Sequence, residues 1–195
     1  MLKIGITGRI GSGKSTICRI FESIGIPVYY SDIEAKKFYN NAELIQTLSR
    51  IFGKGILDVN NLIDKRALAC IVFNDDEKLA MLNHIIHPLV IKDFEKWCSN
   101  KSHFPYILFE SAIIYECGLT SFFSKIIYVD CPEEISIKRV MKRDNATHQA
   151  VLDRLSKQNS GTPLYDFKIM SNEIDLETPQ VLELHKQLLQ ISDQK

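Results

Sequence analysis

Residues Gly8 to Thr16 read GRIGSGKST, directly after the apolar run Leu2 to Thr7, and contain the pattern Gly-x-x-x-x-Gly-Lys-Ser. In such a loop the glycines let the chain turn so that successive backbone N–H groups face inward, and the start of the following helix completes an anion site. Lys14 can then reach the β- and γ-phosphates of a nucleoside triphosphate, and the Ser15 hydroxyl can ligate Mg²⁺. Ile17, Ile20, Phe21 and Ile24 follow at helical spacing before a stop at Gly25, so the loop joins a strand to a helix. Gly11, Ser12, Gly13, Lys14, Ser15 and Thr16 are the candidate nucleotide-binding residues.

The rest of the chain reads as an α/β protein. Pro27 to Tyr30 is a second short strand, ending at Ser31-Asp32, either of which can cap a following helix. From Ile33 to about Asn100 the pattern is helical, with breaks expected at Asn40-Asn41, Gly53-Lys54-Gly55, Asn74-Asp75-Asp76 and Pro88. His87, just before Pro88, is expected in extended geometry at a helix boundary. Tyr106 to Phe109 and Ile126 to Val129 are continuous apolar runs, as in parallel strands covered on both faces by helices. Ile135 to Lys142 and Ala150 to Lys157 read as amphipathic helices, Phe167 to Met170 as a last strand and Pro179 to Leu189 as a closing helix.

Composition narrows the partners. A chain of 195 residues with 45% hydrophobic content supports one ordinary core with a small inserted lobe. Its 24 basic and 24 acidic residues cancel, so neither nucleic acid nor an anionic membrane is an expected partner, and any anion site must be local. Cys18, Cys70, Cys98, Cys117 and Cys131 are odd in number and lack a Cys-x-x-Cys pair, which argues against a disulfide framework and against zinc. No leader-like segment opens the chain and no run approaches the roughly eighteen apolar residues of a membrane span, so the expected location is cytoplasmic, with no obligatory protein partner. A regulatory GTPase would carry a guanine-reading Asn-Lys-x-Asp; the near match Asn100-Lys101-Ser102-His103 lacks the aspartate.

The segments ITGRIGSGKST, GIPVYYSDIEAK, DKRALACIVF, IIHPLV, FESAIIYE and IKRVMKRD occur in this order. Together they resemble the dephospho-coenzyme A kinases, which phosphorylate the ribose 3′-hydroxyl of dephospho-coenzyme A with ATP in the last step of coenzyme A biosynthesis. The resemblance runs from Leu2 to about Gln158; the chain departs from it at Tyr30, where the family often has an acid, at Ala112, where it often has proline, and in a shorter segment from Ser160 to Asn172. It implies a P-loop kinase-like three-layer fold with a central parallel sheet. Residues 1–32 and 104–195 would form the nucleotide-binding core, with a helical lid near 139–160, and residues 33–103 a helical substrate-binding lobe. The implied substrates are ATP and dephospho-coenzyme A, with Mg²⁺ accompanying ATP.

The same resemblance assigns roles, each beside a plainer alternative. Asp32 becomes the base that takes the 3′-hydroxyl proton, from the sheet edge where ligands of open α/β folds bind; a helix cap is the alternative, and the two are compatible. His87, in the His-Pro pair, belongs to the lobe that receives the acceptor, or is a buried structural histidine; with His84 it lacks a third ligand for a metal. Arg66 binds a substrate phosphate or pairs with a surface acid. Arg139 and Arg143, four apart on one helix face, meet the transferring phosphoryl group and the adenine respectively, or lie on a solvated face. Arg154 and Gln158 match the second lid helix, with Arg154 a substrate contact. Glu110 serves Mg²⁺ through water, contacts substrate, or is a solvated strand-end charge, and Asn172 contacts adenine. Two rivals remain: a nucleoside monophosphate kinase, which would show paired arginines for a second phosphate, and a P-loop switch module, whose ATP turnover would ignore any acceptor.

Overall fold

Five runs rich in β-branched and aromatic residues become strands: β1 (Leu2–Thr7), β2 (Val28–Tyr30), β3 (Tyr106–Glu110), β4 (Lys125–Asp130) and β5 (Phe167–Met170). In the computed structural model, which describes residues 1–158, 163–172, 174 and 176–194, they form one parallel sheet in the order β2-β3-β1-β4-β5. Parallel pairing brings all five C-terminal ends to one edge, the edge at which open α/β sheets bind ligands. Register places Glu110 at that edge, opposite Ile6 of β1 and Tyr30 of β2.

The chain divides into two compact units, Met1–Tyr30 with Cys98–Lys195, and Ser31–Trp97. In the first unit, helix α1 (Lys14–Ser23) and the closing helix α8 (Glu177–Asp193) cover one face of the sheet. Ile17, Cys18 and Phe21 of α1 meet Val181, Leu184 and Leu188 of α8 over Leu2, Ile4, Ile6, Leu108, Ile127, Val129 and Ile169. On the other face, a Cβ at Gly5 would lie 2.8 Å from Ile126 Cδ1 and 3.0 Å from Ile114 Cδ1, so the irregular segment after β3 seals directly onto the strand. Helices α6 (Glu133–Asp144) and α7 (His148–Ser156) pack together after β4 through an apolar cluster of Ile137, Val140, Val151 and Leu155.

The second unit contains α2 (Ser31–Phe38), α3 (Ala42–Phe52), α4 (Lys65–Val72) and most of α5 (Asp76–Ser99). Side-chain caps start two of them: Asn41 Oδ1 accepts from the Glu43 and Leu44 N–H groups, and Asp64 Oδ1 from those of Arg66 and Ala67. Three expectations are corrected here. Residues 57–63 are not helical; Leu57 and Ile63 make an isolated antiparallel bridge closed by an Asp58 turn. Neither Ser31 nor Asp32 precedes its helix, because α2 begins at Ser31 and places Asp32 within its first turn. Pro88 does not break the chain, and His87 is therefore helical rather than extended. The stripe Leu82, Ile86, Val90, Phe94 and Cys98 is buried across it at four-residue spacing. A proline inside a helix costs ~3 kcal/mol, less than the ~1.5–3 kcal/mol gained at each of several buried apolar side chains that a break would misalign.

Candidate functional site

The loop between β1 and α1 wraps tightly. Gly13, at the N-cap of α1, has φ 97° and Gly11 has φ 78°, the left-handed region open to glycine. Space excludes side chains as well: a Cβ would stand 2.5 Å from Ser136 O at Gly11 and 2.4 Å from Ser171 Oγ at Gly13. Lys14 is only 8% exposed, and its ammonium donates to Gly8 O (2.8 Å) and Arg9 O (3.1 Å), which folds it back along the loop. Ser12 Oγ is buried with no hydrogen-bond partner among the described residues, so its proton is uncommitted. Ser15 and Thr16 are exposed on the first turn of α1.

Helices α6 and α7 hold this loop from one side. Ile10 packs against their apolar cluster, and its N–H donates to Gln158 Oε1 at 2.7 Å. Arg139 of α6 reaches the start of α1: its Nη1 donates to Ser171 Oγ at 2.9 Å and would lie 3.3 Å from a Cβ at Gly13. Arg143 turns elsewhere. It grips Asp144 through Nε (2.7 Å) and Nη2 (3.1 Å), and Arg154 Nη1 donates to the same carboxylate at 2.7 Å. Hydrogen bonding from Arg143, reinforced by Arg154, holds the Asp144 carboxyl below the usual carboxylate range. Of the three arginines singled out on α6 and α7, the fold thus brings Arg139 to the phosphate loop, while Arg143 and Arg154 share one exposed acid. The last residues assigned to the lid, 159 and 160, lie outside the described residues.

Glu110 is buried at the end of β3. Its carboxylate and, above all, burial push the Cys18 thiol far above its ordinary value, leaving that cysteine an unreactive core group. A cleft of about 310 Å³ opens beside Thr7, Gly8 and Arg9, walled by Ala112, Tyr115, Glu116, Thr120, Tyr128, Gln158, Pro163 and Leu164. Tyr115, pushed up to about 12 chiefly by burial, stays a neutral phenol and donates to Leu164 O at 2.8 Å. Asn172 sits just past β5, where its Oδ1 accepts the Ile174 N–H at 2.9 Å. Among the described residues no group of three or more His, Cys, Asp or Glu is arranged to hold a metal, and no helix is long and apolar enough to cross a membrane.

In the second unit, Asp32 is exposed on α2, and Arg66 is exposed on the first turn of α4 with no acid paired to it among the described residues. His87 is half-buried on α5. Burial lowers its imidazole below the ordinary 6.5, the Asp32 carboxylate opposes the shift and His84 adds to it, so Asp32 and His87 share one electrostatic environment. A pKa depressed by folding means that the unfolded chain takes up more protons as pH falls. Stability present above 6.5 is therefore lost as pH drops through the lower folded value. His87→Gln should flatten this part of the urea-denaturation profile between about pH 7.5 and pH 5; identical profiles for the two proteins would contradict it.

Sequence reasoning missed Ser171, Glu177 and Gln180. Ser171 is 1% exposed and contacts both Arg139 and Gly13. Its available signal was its place directly after β5 at the ligand-binding edge of the sheet.

The family model for dephospho-CoA kinase matches residues 2–163. The chain belongs to the dephospho-CoA kinase family. A dephospho-CoA kinase of Porphyromonas gingivalis is 35% identical over 189 residues, covering 94% of this chain and 93% of that protein. One from Aquifex aeolicus is 38% identical over 144 residues, covering 73% and 74% respectively. Among solved structures, a Thermus thermophilus protein superposes with a TM-score of 0.80 at 29% identity, with 96% of each chain covered. A shikimate kinase from Acinetobacter baumannii, at 15% identity and TM-score 0.53 over 97% of this kinase and 94% of that chain, shares the fold alone.

Proposed function

We propose that this kinase moves the γ-phosphoryl group of ATP to the ribose 3′-hydroxyl of dephospho-coenzyme A, giving coenzyme A and ADP. The observation that carries the reading is the placing of two cations on one loop, the Lys14 ammonium at Gly8 O and Arg9 O and the Arg139 guanidinium beside Gly13, within a chain of the dephospho-CoA kinase family. The backbone N–H groups of Gly11 to Thr16 hold the phosphates, and Lys14 swings from the loop carbonyls to the β- and γ-oxygens. Arg139 meets the charge that develops on the transferring group, where a preorganised fork is most effective. Asp32 takes the proton of the 3′-hydroxyl as its oxygen attacks, and Arg66 and His87 contact the acceptor. Arg143 and Asn172 serve the adenine side of ATP; Arg154 serves the acceptor once Asp144 is exchanged for a substrate anion.

The donors suit Mg²⁺ delivered with ATP. A hard cation of this kind takes phosphate oxygens and a few protein or water oxygens rather than an all-protein cage, and Ser15 offers an exposed hydroxyl at the loop while Glu110 offers a nearby carboxylate through water. When bound, the ion neutralises phosphate charge during transfer.

The test supplies ATP and Mg²⁺ with dephospho-coenzyme A, AMP or CMP and follows which acceptor gains phosphate. Selective labelling of dephospho-coenzyme A at the 3′-oxygen is expected. Preferred labelling of AMP or CMP would replace the reading with a nucleoside monophosphate kinase, and ATP hydrolysis indifferent to all three with a switch module.

A further inference from the structure

Arg139 reaches the phosphate loop on a tether that lies outside the P-loop motif. Its Nη1 donates to Ser171 Oγ at 2.9 Å and Ser171 O at 3.3 Å, with Cys131 Sγ 3.6 Å away. Ser171 is locked in turn: it is 1% exposed, and its N–H donates to Asp130 O at 2.8 Å, at the end of β4. A serine hydroxyl has one proton and two lone pairs. That proton goes to Glu177 Oε1 at 3.0 Å, which leaves the lone pairs facing the guanidinium. Glu177 opens α8, and Gln180 in the same turn brackets the preceding residue, its Oε1 accepting the Met170 N–H and its Nε2 donating to Met170 O, both at 2.9 Å. The first turn of α8 therefore fixes the end of β5, and with it the direction in which Ser171 points.

We propose that Ser171, oriented by Glu177, is the positioning residue that sets the Arg139 guanidinium against the phosphate loop; the inference rests on the reading of Arg139 as the group that meets the transferring phosphoryl group. The contact is specific in place as well as chemistry. A Cβ at Gly13 would lie 2.4 Å from Ser171 Oγ and 3.3 Å from Arg139 Nη1, so hydroxyl and guanidinium touch the same point of the loop. A long side chain that must find this position anew in each turnover loses rotamer freedom at the reacting step, whereas one already held there does not. The gain appears in the transition state, where Arg139 acts, and hence in kcat rather than in KM.

A double-mutant cycle decides the matter. Ser171→Ala is expected to lower kcat about 10- to 100-fold, with the KM for ATP nearly unchanged. Glu177→Ala should lower kcat in the same direction, and Glu177→Gln, which keeps an oxygen to accept the Ser171 proton, should recover most of it. All these losses should vanish in an Arg139→Ala background, because the residues act through Arg139. If Arg139→Ala itself turns over normally, the role given to Arg139 falls and this inference falls with it. If Arg139→Ala is slow but Ser171→Ala and Glu177→Ala either keep full kcat or lose it by the same factor with and without Arg139, the role of Arg139 stands and the positioning inference is overturned. Melting temperatures accompany every variant, and should Ser171→Ala not fold, the two Glu177 variants carry the same decision.

Discussion

Lys14→Ala is expected to remove phosphate transfer to dephospho-coenzyme A by at least about 10²- to 10³-fold, the loss seen when one preorganised donor is taken from a developing anion. The side chain is the motif's buried cation, Arg9 being turned outward to Glu133, and its hydrogen bonds to Gly8 O and Arg9 O at 2.8 Å and 3.1 Å keep it folded onto the segment that would hold the phosphates. Stability should change little. The charge-assisted bonds lost are each worth ~1.5–3 kcal/mol, but Lys14 is buried and the desolvation cost of its charge disappears at the same time. A net loss of ~1–2 kcal/mol corresponds to less than about 8 °C in melting temperature at this chain length. Lys14→Arg keeps the charge but replaces a compact ammonium by a planar fork, so only partial recovery is expected. The measurements are phosphorylated acceptor per folded enzyme, ATP affinity and thermal melting. A folded Lys14→Ala enzyme that still phosphorylates dephospho-coenzyme A near the original rate would end the P-loop account of this site.

The phosphate loop and the sheet were legible because their signals are local. Gly11, Gly13 and Lys14 announce themselves at fixed spacing, and apolar runs such as Tyr106 to Phe109 leave few alternatives to buried parallel strands. Pro88 misled for the opposite reason: the local rule against proline in a helix was outweighed by a buried stripe that extends a full turn and more on either side of it. Arg139 and Arg143 show the same limit at the site. Their four-residue spacing implies one shared face, yet Arg139 reaches Ser171, 32 residues away, while Arg143 is captured by its own neighbour Asp144. The one signal at Ser171, its place after a strand, does not set it apart, since a serine there is an ordinary turn residue until the fold buries it between an arginine, a glutamate and a glycine that has no room for a Cβ.

Asp32→Asn is expected to lower turnover about 10²- to 10⁴-fold, the range for losing a positioned general base, while leaving ATP affinity close to normal, because the proposed phosphate site is made by Gly11 to Thr16 and not by this carboxylate. The structure sharpens what the same change should do to stability. Asp32 lies inside the first turn of α2 rather than before it, so its structural contribution there is the favourable interaction of a negative charge with the helix N-terminus. For an exposed side chain that is at most ~1 kcal/mol, or about 2–4 °C of melting temperature in a chain of this size. Asn keeps the shape and loses the charge, so a small drop in melting temperature and a large drop in turnover should appear together. His87 provides an internal check: the Asp32 carboxylate holds its imidazole up against burial, so removing the charge should lower the His87 titration further, readable by NMR on the imidazole ring. The decisive comparison is turnover per folded molecule. If Asp32→Asn shifts the His87 titration and the melting temperature as expected but transfers phosphate at nearly the original rate, Asp32 is a helix-terminal charge and the base must be sought elsewhere in the enzyme.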